Sequence, residues 1–419
     1  MTLLTQGSDP SRGREPSTPG MHQLHERLAE VARAFARDGL ARGQREHLDR
    51  ADFDALAATG FLALGLPERE GGHWRGLAGS VRDYGRAIHA IALGDPAVAL
   101  VAAMHPTVLC YWSAVERVDA ADATAWAAQC EAVFASVRAG HWWGTLTSEP
   151  GSGGDILRTR TLAEPDPSRG GSIGPRYLLS GEKHFGSGAG IVSYMTTTAR
   201  VPGLDEPPTL FIDVGGTPWD GSTGLRLLRP WDGHGMRATQ SHAFMLERYP
   251  ATCIAVPAAA ASARPVMGPL MAVLFGAVAL AIVDLAMAWS RTRILRMTLR
   301  AAEQSEWVRA ETEAFLIAAA WDAAVRAAEQ GPSLAAAVAA LQAKLAMAEL
   351  AETLLPRLSR IVGGASYARS QPLGQWAQDV RALGFLRPPW GLASTQLHDA
   401  LGRLHAAPES PASGAGAGR

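Results

Sequence analysis

Only three cysteines occur in the 419 residues, Cys110, Cys130 and Cys253. They lie far apart and show no C-x-x-C spacing, so neither a disulfide framework nor a cysteine-built metal centre organises this chain. Such usage suits a reducing compartment, and a cytoplasmic protein with packing cysteines is expected. Charge is equally sparse. Charged residues make up 19% and the net charge is −1, which leaves no global field to recruit nucleic acid or an acidic membrane. The histidines at 73, 89, 184, 234 and 242 offer no H-x-x-x-H or H-E-x-x-H pattern, so no metal site is expected. No repeat of 20–50 residues recurs, which excludes a solenoid. The opening TQGSDPSRGREPSTPG lacks the apolar stretch of a secretory leader, and the closing HAAPESPASGAGAGR is low in complexity. Residues 1–20 and 407–419 are therefore expected to be flexible tails.

Hydrophobic residues, by contrast, make up 47% of the chain, enough for a large core and two or three domains. One run, Pro265 to Val283, carries no charge and is long enough to cross a bilayer. It contains Pro265, Gly268, Pro269 and Gly276, reaches Asp284, and lacks a flanking belt of bases. A helix apolar all round is also what the centre of a helical bundle requires. No membrane partner is expected.

Residues 21–142 repeat apolar positions every three or four residues, as in LHERLAEVARAFARDGLARG, and read as a helical domain. PEREGGHWRG interrupts it, and Asp95-Pro96 reads as a helix N-cap and first turn. From 143 to 260 short runs of β-formers such as YLLSGEKHF, TLFIDV and HAFMLERYPA alternate with Gly, Pro and Asp, the texture of an antiparallel β domain. From 261 to 406 the chain is rich in Ala and Leu and reads as a helical bundle. The fold class is α+β, in the order helix, sheet, helix.

Three motifs in that order carry a family resemblance. TSEPGSGGD at 147–155, YLLSGEKHFGSGAG at 177–190 and IVGGASYARSQPLGQWAQDVRAL at 361–383 resemble the signatures of the acyl-CoA dehydrogenase superfamily, and PEREGG and GMRATQSH fit it too. The resemblance spans roughly residues 21–400. It implies an α-helical domain, a β domain and a four-helix bundle that clasp FAD, assembled as a homotetramer or homodimer. Ser148 would bond the pyrimidine side of the flavin, with Gly153 and Gly154 in the cradle. Ser187 would lie near N5, and Phe185 would take the place of the usual tryptophan. Gly363 and Gly364 would pass the cofactor of a neighbouring subunit, and Arg291 would pair with its pyrophosphate. Read without the family, these are strand-end serines, a helix C-cap and a solvated helix charge. Glu149 and Asp155 flank a turn, where carboxylates more often cap backbone N–H groups than transfer protons.

The family's dehydrogenases remove an α-proton from an acyl thioester with a glutamate beyond the Asp-x-Arg block. Eight residues on from Asp379 stands Arg387, followed by Pro388 and Pro389, and the long helix after the β domain has no glutamate either. Two activities follow. One is a dehydrogenase of an acyl-CoA or related thioester, served by electron-transfer flavoprotein, with His105, Asp399 or Glu149 moving the proton. The other is a monooxygenase of the same fold using oxygen and reduced flavin, FAD or FMN, supplied by a flavin reductase. It needs no such base, and GSGAG at 186–190 and the placing of His105 resemble that branch. A catalytically silent flavin-binding subunit is the third alternative.

Overall fold

In the computed structural model residues 19–167 and 173–406 are described; both expected tails, apart from residues 19 and 20, lie outside them. Helix α1 (Pro19–Arg37) starts on a proline whose fixed φ suits a first turn. Its Met21, Leu24, Leu28, Ala32 and Phe35 follow the three–four spacing and are all buried. After α2 (Gly39–Gly43), α3 (Arg50–Ala58) ends in a tight 3-10 turn at Phe61–Gly65. Helices α4 (Gly76–Ala92), α5 (Pro96–Ser113) and α6 (Ala123–Arg138) complete this part. Asp95 caps α5 as its spacing predicts, accepting from the N–H groups of Ala97 and Val98 at 3.0 and 3.1 Å.

Seven strands follow: β1 (Trp143–Thr145), β2 (Leu162–Pro165), β3 (Arg176–Gly186), β4 (Tyr194–Thr198), β5 (Thr209–Asp213), β6 (Leu225–Arg229) and β7 (His242–Cys253). They form one sheet in the order β1-β4-β5-β7-β3-β2, with β6 also on β7. Every pairing is antiparallel except β1 with β4, which is parallel. The long β3–β7 ladder slips register between Lys183 and Gly186, and this bulge re-aims the chain at the residues where the site is sought.

The remaining chain is helical: α7 (Pro257–Ile294), α8 (Ala301–Ala328), α9 (Leu334–Val362), α10 (Leu373–Asp379), α11 (Ala382–Phe385) and α12 (Trp390–Ala406). Helices α7, α8, α9 and α12 make the bundle, with α9 against the other three. By length and composition α5, α7 and α9 could each cross a membrane, but 89% of the apolar window of α5 and 78% of that of α7 is buried inside the protein. Those two helices spend their apolar surface on the core. α7 holds Pro265 and Pro269 without ending, and Trp321 on α8 donates its ring N–H to the Val273 carbonyl, 2.9 Å away.

Candidate flavin site

The chain leaves β1 through TSEPGSGGD, and both acids of that stretch are scaffold. Glu149 is buried and accepts from Thr159 Oγ1, the Arg160 N–H, Thr161 Oγ1 and Lys183 Nζ, the last at 2.6 Å. Burial alone would raise its pKa, but Lys183 and these donors outweigh burial and hold the carboxyl below its usual range. Lys183 has no exposed side-chain surface, and its Nζ also donates to the Thr198 carbonyl at 2.6 Å. Asp155 accepts from the Leu157 N–H at 2.9 Å and caps a 3-10 turn. Glu149 is therefore not free to carry a proton.

Between them Gly151, Gly153 and Gly154 take positive φ of 73°, 64° and 82°. A side chain at position 154 has no room here. A Cβ on Gly154 would lie 2.6 Å from Pro389, whose ring occupies that place. A Cβ on Gly153 would meet nothing within 4 Å.

Ser148 pairs with His184 through the His184 N–H and the Ser148 carbonyl, 2.8 Å apart, which sets it beside the β3 bulge. At that bulge Phe185 adopts φ 57°, costly for a bulky residue, and its half-exposed ring meets Trp231 edge-on with centroids 6.0 Å apart. Two residues on, Ser187 Oγ lies 2.7 Å from Ser241 Oγ. Ser241 belongs to GMRATQSH, whose 3-10 turn at Arg237–Thr239 is flanked by Met236 and Gln240 in the left-handed region.

Arg387 enters from the segment between α11 and α12. Its Nη2 donates to Ser148 Oγ at 2.7 Å. It makes no ion pair with any described residue, and burial pulls its guanidinium down to about 10 despite favourable fields from Tyr111 and Asp155. The backbone next to it is pinned by Lys344 on α9, whose buried Nζ donates to the Pro388 carbonyl at 2.6 Å. Burial lowers the Lys344 pKa to about 8.

The two expected catalytic residues sit elsewhere. His105 is fully buried with both ring nitrogens engaged: Nδ1 accepts from the Trp143 N–H at 3.1 Å and Nε2 donates to the Leu62 carbonyl at 3.1 Å. Burial lowers its pKa to about 4, so it is a neutral core histidine that ties α5 to β1. Asp399 is exposed on α12, without the apolar slot a carboxylate base requires. Arg291 is forked on Glu311 at 2.9 and 2.6 Å and is half exposed. Gly363 is the C-cap of α9, at φ 92°, and neither it nor Gly364 has a neighbour where a Cβ would stand.

A cavity of about 290 Å³ lies away from these residues, lined by Arg42, Asp95, Arg237, Trp376 and Asp379 among others. Its cations are paired: Arg42 binds Asp52 at 2.7 Å and Asp95 at 2.8 Å. Asp379 accepts from the Met236 N–H at 2.5 Å and Gln375 Nε2 at 2.8 Å. The contact exists because position 235 is glycine; a Cβ there would stand 2.2 Å from the Gln378 carbonyl oxygen. Burial raises the Asp379 carboxyl to about 7, well above the ordinary 3.8. A raised folded pKa means that the stabilisation is full below about pH 4 and drains away as pH rises through about 7. Asn at 379 keeps the accepting oxygen. Asp379→Asn is therefore expected to gain stability relative to the wild type between pH 5 and 8, read as the difference in denaturation midpoints at the two values. A difference that does not change with pH would refute the assignment.

Comparison with known proteins bears on the fold. Residues 22–118 match the family model of the acyl-CoA dehydrogenase N-terminal domain. No curated protein matches the sequence. Among solved structures, butyryl-CoA dehydrogenase from Megasphaera elsdenii superposes with a TM-score of 0.75 at 16% identity, over 93% of this chain and 99% of that one. The chain has the acyl-CoA dehydrogenase fold. Nitrososynthase from Micromonospora carbonacea var. africana superposes with a TM-score of 0.72 at 22% identity, over 93% of this chain and 98% of that one. KijD3, solved with FMN and a dTDP-linked amino-keto sugar, gives 0.73 at 23% identity, over 92% of this chain and 95% of that one. The fold thus houses both dehydrogenases and enzymes of other chemistry.

The polar groups suit a flavin: two hydroxyls, an aromatic face left half open, and on one border a guanidinium that makes no ion pair with any described residue. Of the expected cofactor residues, Ser148, Gly153, Gly154, Phe185 and Ser187 gather at the β1 exit and the β3 bulge, whereas Arg291, Gly363 and Gly364 lie at the ends of α7 and α9. Ser241, Thr239 and Lys344 escaped the sequence reading. GMRATQSH was visible as a family motif, but nothing in a linear sequence tells which of its side chains face Ser187.

Proposed function

We propose that the chain is a flavin-dependent oxidoreductase that works with reduced flavin and oxygen, not by removing an α-proton from an acyl thioester. The observation that carries this reading is Arg387. It stands where the dehydrogenases of this fold carry their base, reaches Ser148, and makes no ion pair with any described residue. A guanidinium is protonated at any working pH and cannot accept a proton. None of the other acid or base candidates can replace the missing glutamate: Glu149 and His105 are saturated with hydrogen bonds, Asp155 is a cap, and Asp399 is exposed.

In this reading Ser148 holds the pyrimidine side of the ring, Phe185 covers one face and Ser187 stands at N5. The bound flavin supplies the two-electron chemistry with oxygen. Arg387 and Ser148 reserve that side of the slot for negative charge, and the buried flanks contributed by Tyr111 and Lys183 limit water there. FMN fits better than FAD. The serine expected at the pyrophosphate is Gly154, with Pro389 in its place, and Arg291 is already bound to Glu311. KijD3 and TdsC from Paenibacillus sp. A11-2, which share this fold, were both solved with FMN. A flavin reductase is then the redox partner, and exposed Val308, Phe315 and Leu316 on α8 give a homo-oligomer an apolar surface to cover.

The test is anaerobic mixing of the flavin-loaded protein with acyl-CoAs of graded chain length. The oxidised visible band is expected to persist with all of them. Bleaching with any one would establish the dehydrogenase and sink this proposal.

A further inference from the structure

Three hydroxyls run in series from the site into the protein, and the carbonyl at their inner end fixes the direction of every proton. Thr239 Oγ1 lies 2.9 Å from the Met236 carbonyl oxygen, which has no proton to give, so Thr239 donates. The opposite polarity would set two lone-pair oxygens 2.9 Å apart. That carbonyl also takes the Trp231 ring N–H at 3.0 Å and the Thr239 N–H at 3.1 Å. With its own proton spent, Thr239 can only accept from Ser241, 2.7 Å away. Ser241 then has no proton left for Ser187, so Ser187 must donate across the 2.7 Å contact between them. The outermost hydroxyl therefore turns only lone pairs towards the site.

The polarity has little freedom to reverse. Thr239 is fully buried and Ser241 nearly so, which shields both hydroxyls from bulk water. The Gly188 N–H bonds the Thr239 carbonyl at 2.8 Å and locks the two loops together. Met236 is held from the other side by Asp379.

We infer that Thr239 and Ser241 are positioning residues that make Ser187 an obligate acceptor, and that the site thereby favours a flavin carrying a proton on N5, the reduced form, over oxidised flavin, whose N5 can only accept. This rests on the proposed placing of Ser187 at N5.

Anaerobic titration with oxidised FMN and with dithionite-reduced FMN tests it. The wild type is expected to bind the reduced form at least tenfold more tightly, equivalent to a rise of about 30 mV in the potential of the bound two-electron couple. Thr239→Val keeps the shape and removes the acceptor of Ser241. Ser241 can then donate to Ser187, and Ser187 to oxidised N5. The variant is expected to bind oxidised FMN more tightly and to lose most of the tenfold preference. Ser187→Ala, which can neither accept nor donate, is expected to lose the preference without that gain, a contrast that a merely structural role would not produce. Equal affinity of the wild type for both forms, or an unchanged ratio in Thr239→Val, overturns the inference while leaving the flavin reading intact. No binding of FMN in either form overturns both.

Discussion

Replacing Arg387 with methionine is expected to lower kcat on the order of 10²–10³-fold while leaving the denaturation midpoint at or above that of the wild type. The two halves of this result have separate causes. The residue is half-buried, its pKa is depressed to about 10 by desolvation, and no described carboxylate forms an ion pair with it. Keeping such a charge costs folding free energy, because desolvation is repaid only by one hydroxyl, Ser148, and by the distant Tyr111 and Asp155. Methionine fills a similar volume without that cost. The function lost is the stabilisation of negative charge in a slot of low dielectric, where one well-placed donor contributes several kcal/mol to a transition state. A strained or costly residue retained at a site is a signature of function. Steady-state kinetics and urea denaturation on the same preparation check both halves. A variant that keeps its turnover, or one that unfolds much more easily, would show that Arg387 is structural.

Lys183→Met is expected to do the opposite, destabilising the protein by about 3–5 kcal/mol. Lys183 and Glu149 form an ion pair in which the lysine side chain is wholly buried and the carboxylate nearly so. Removing the ammonium leaves a buried carboxylate with only Thr159, Arg160 and Thr161 as donors, and leaves the Thr198 carbonyl without the Nζ partner it has in the native protein. The pair joins the TSEPGSGGD exit to β3, so flavin affinity is expected to fall with stability. Adding Glu149→Gln to the variant removes the orphaned charge and is expected to recover part of the loss. Denaturation midpoints of the two single variants and the double variant measure this coupling directly. A single-variant loss below about 1 kcal/mol would place the pair among the weak ones.

The two predictions separate two kinds of charge that look alike in a sequence. Lys183 lies in a strand motif and Arg387 in a run of prolines, and neither position states whether its cation is matched. Pairing is decided by what the fold carries to the same place: Glu149, 34 residues before Lys183, is folded back onto it, whereas among the described residues no acid comes within ion-pair reach of Arg387.

The helix–sheet–helix order was legible in the sequence because it is local. Three–four spacing in α1, the Asp95-Pro96 cap of α5 and the alternation of β-formers along β3 and β7 each act over a few residues. The scaffold role of Glu149 and Asp155 was legible too, since acids flanking a glycine turn have backbone N–H groups within reach. So was the missing glutamate, which needed only counting from Asp379 to Arg387. The roles of His105 and Asp399 were not. An apolar helix announces that His105 is buried, but only packing brings the Leu62 carbonyl and the Trp143 N–H to its two nitrogens, 43 and 38 residues away. The seat of Gly154 against Pro389 and the contact of Ser187 with Ser241 likewise join segments 54 or more residues apart. Spacing along a chain encodes which element a residue enters and which way it faces there. Hydrogen-bond polarity, desolvation and charge compensation depend on atoms from other elements within about 3 Å, and those are set when the elements pack.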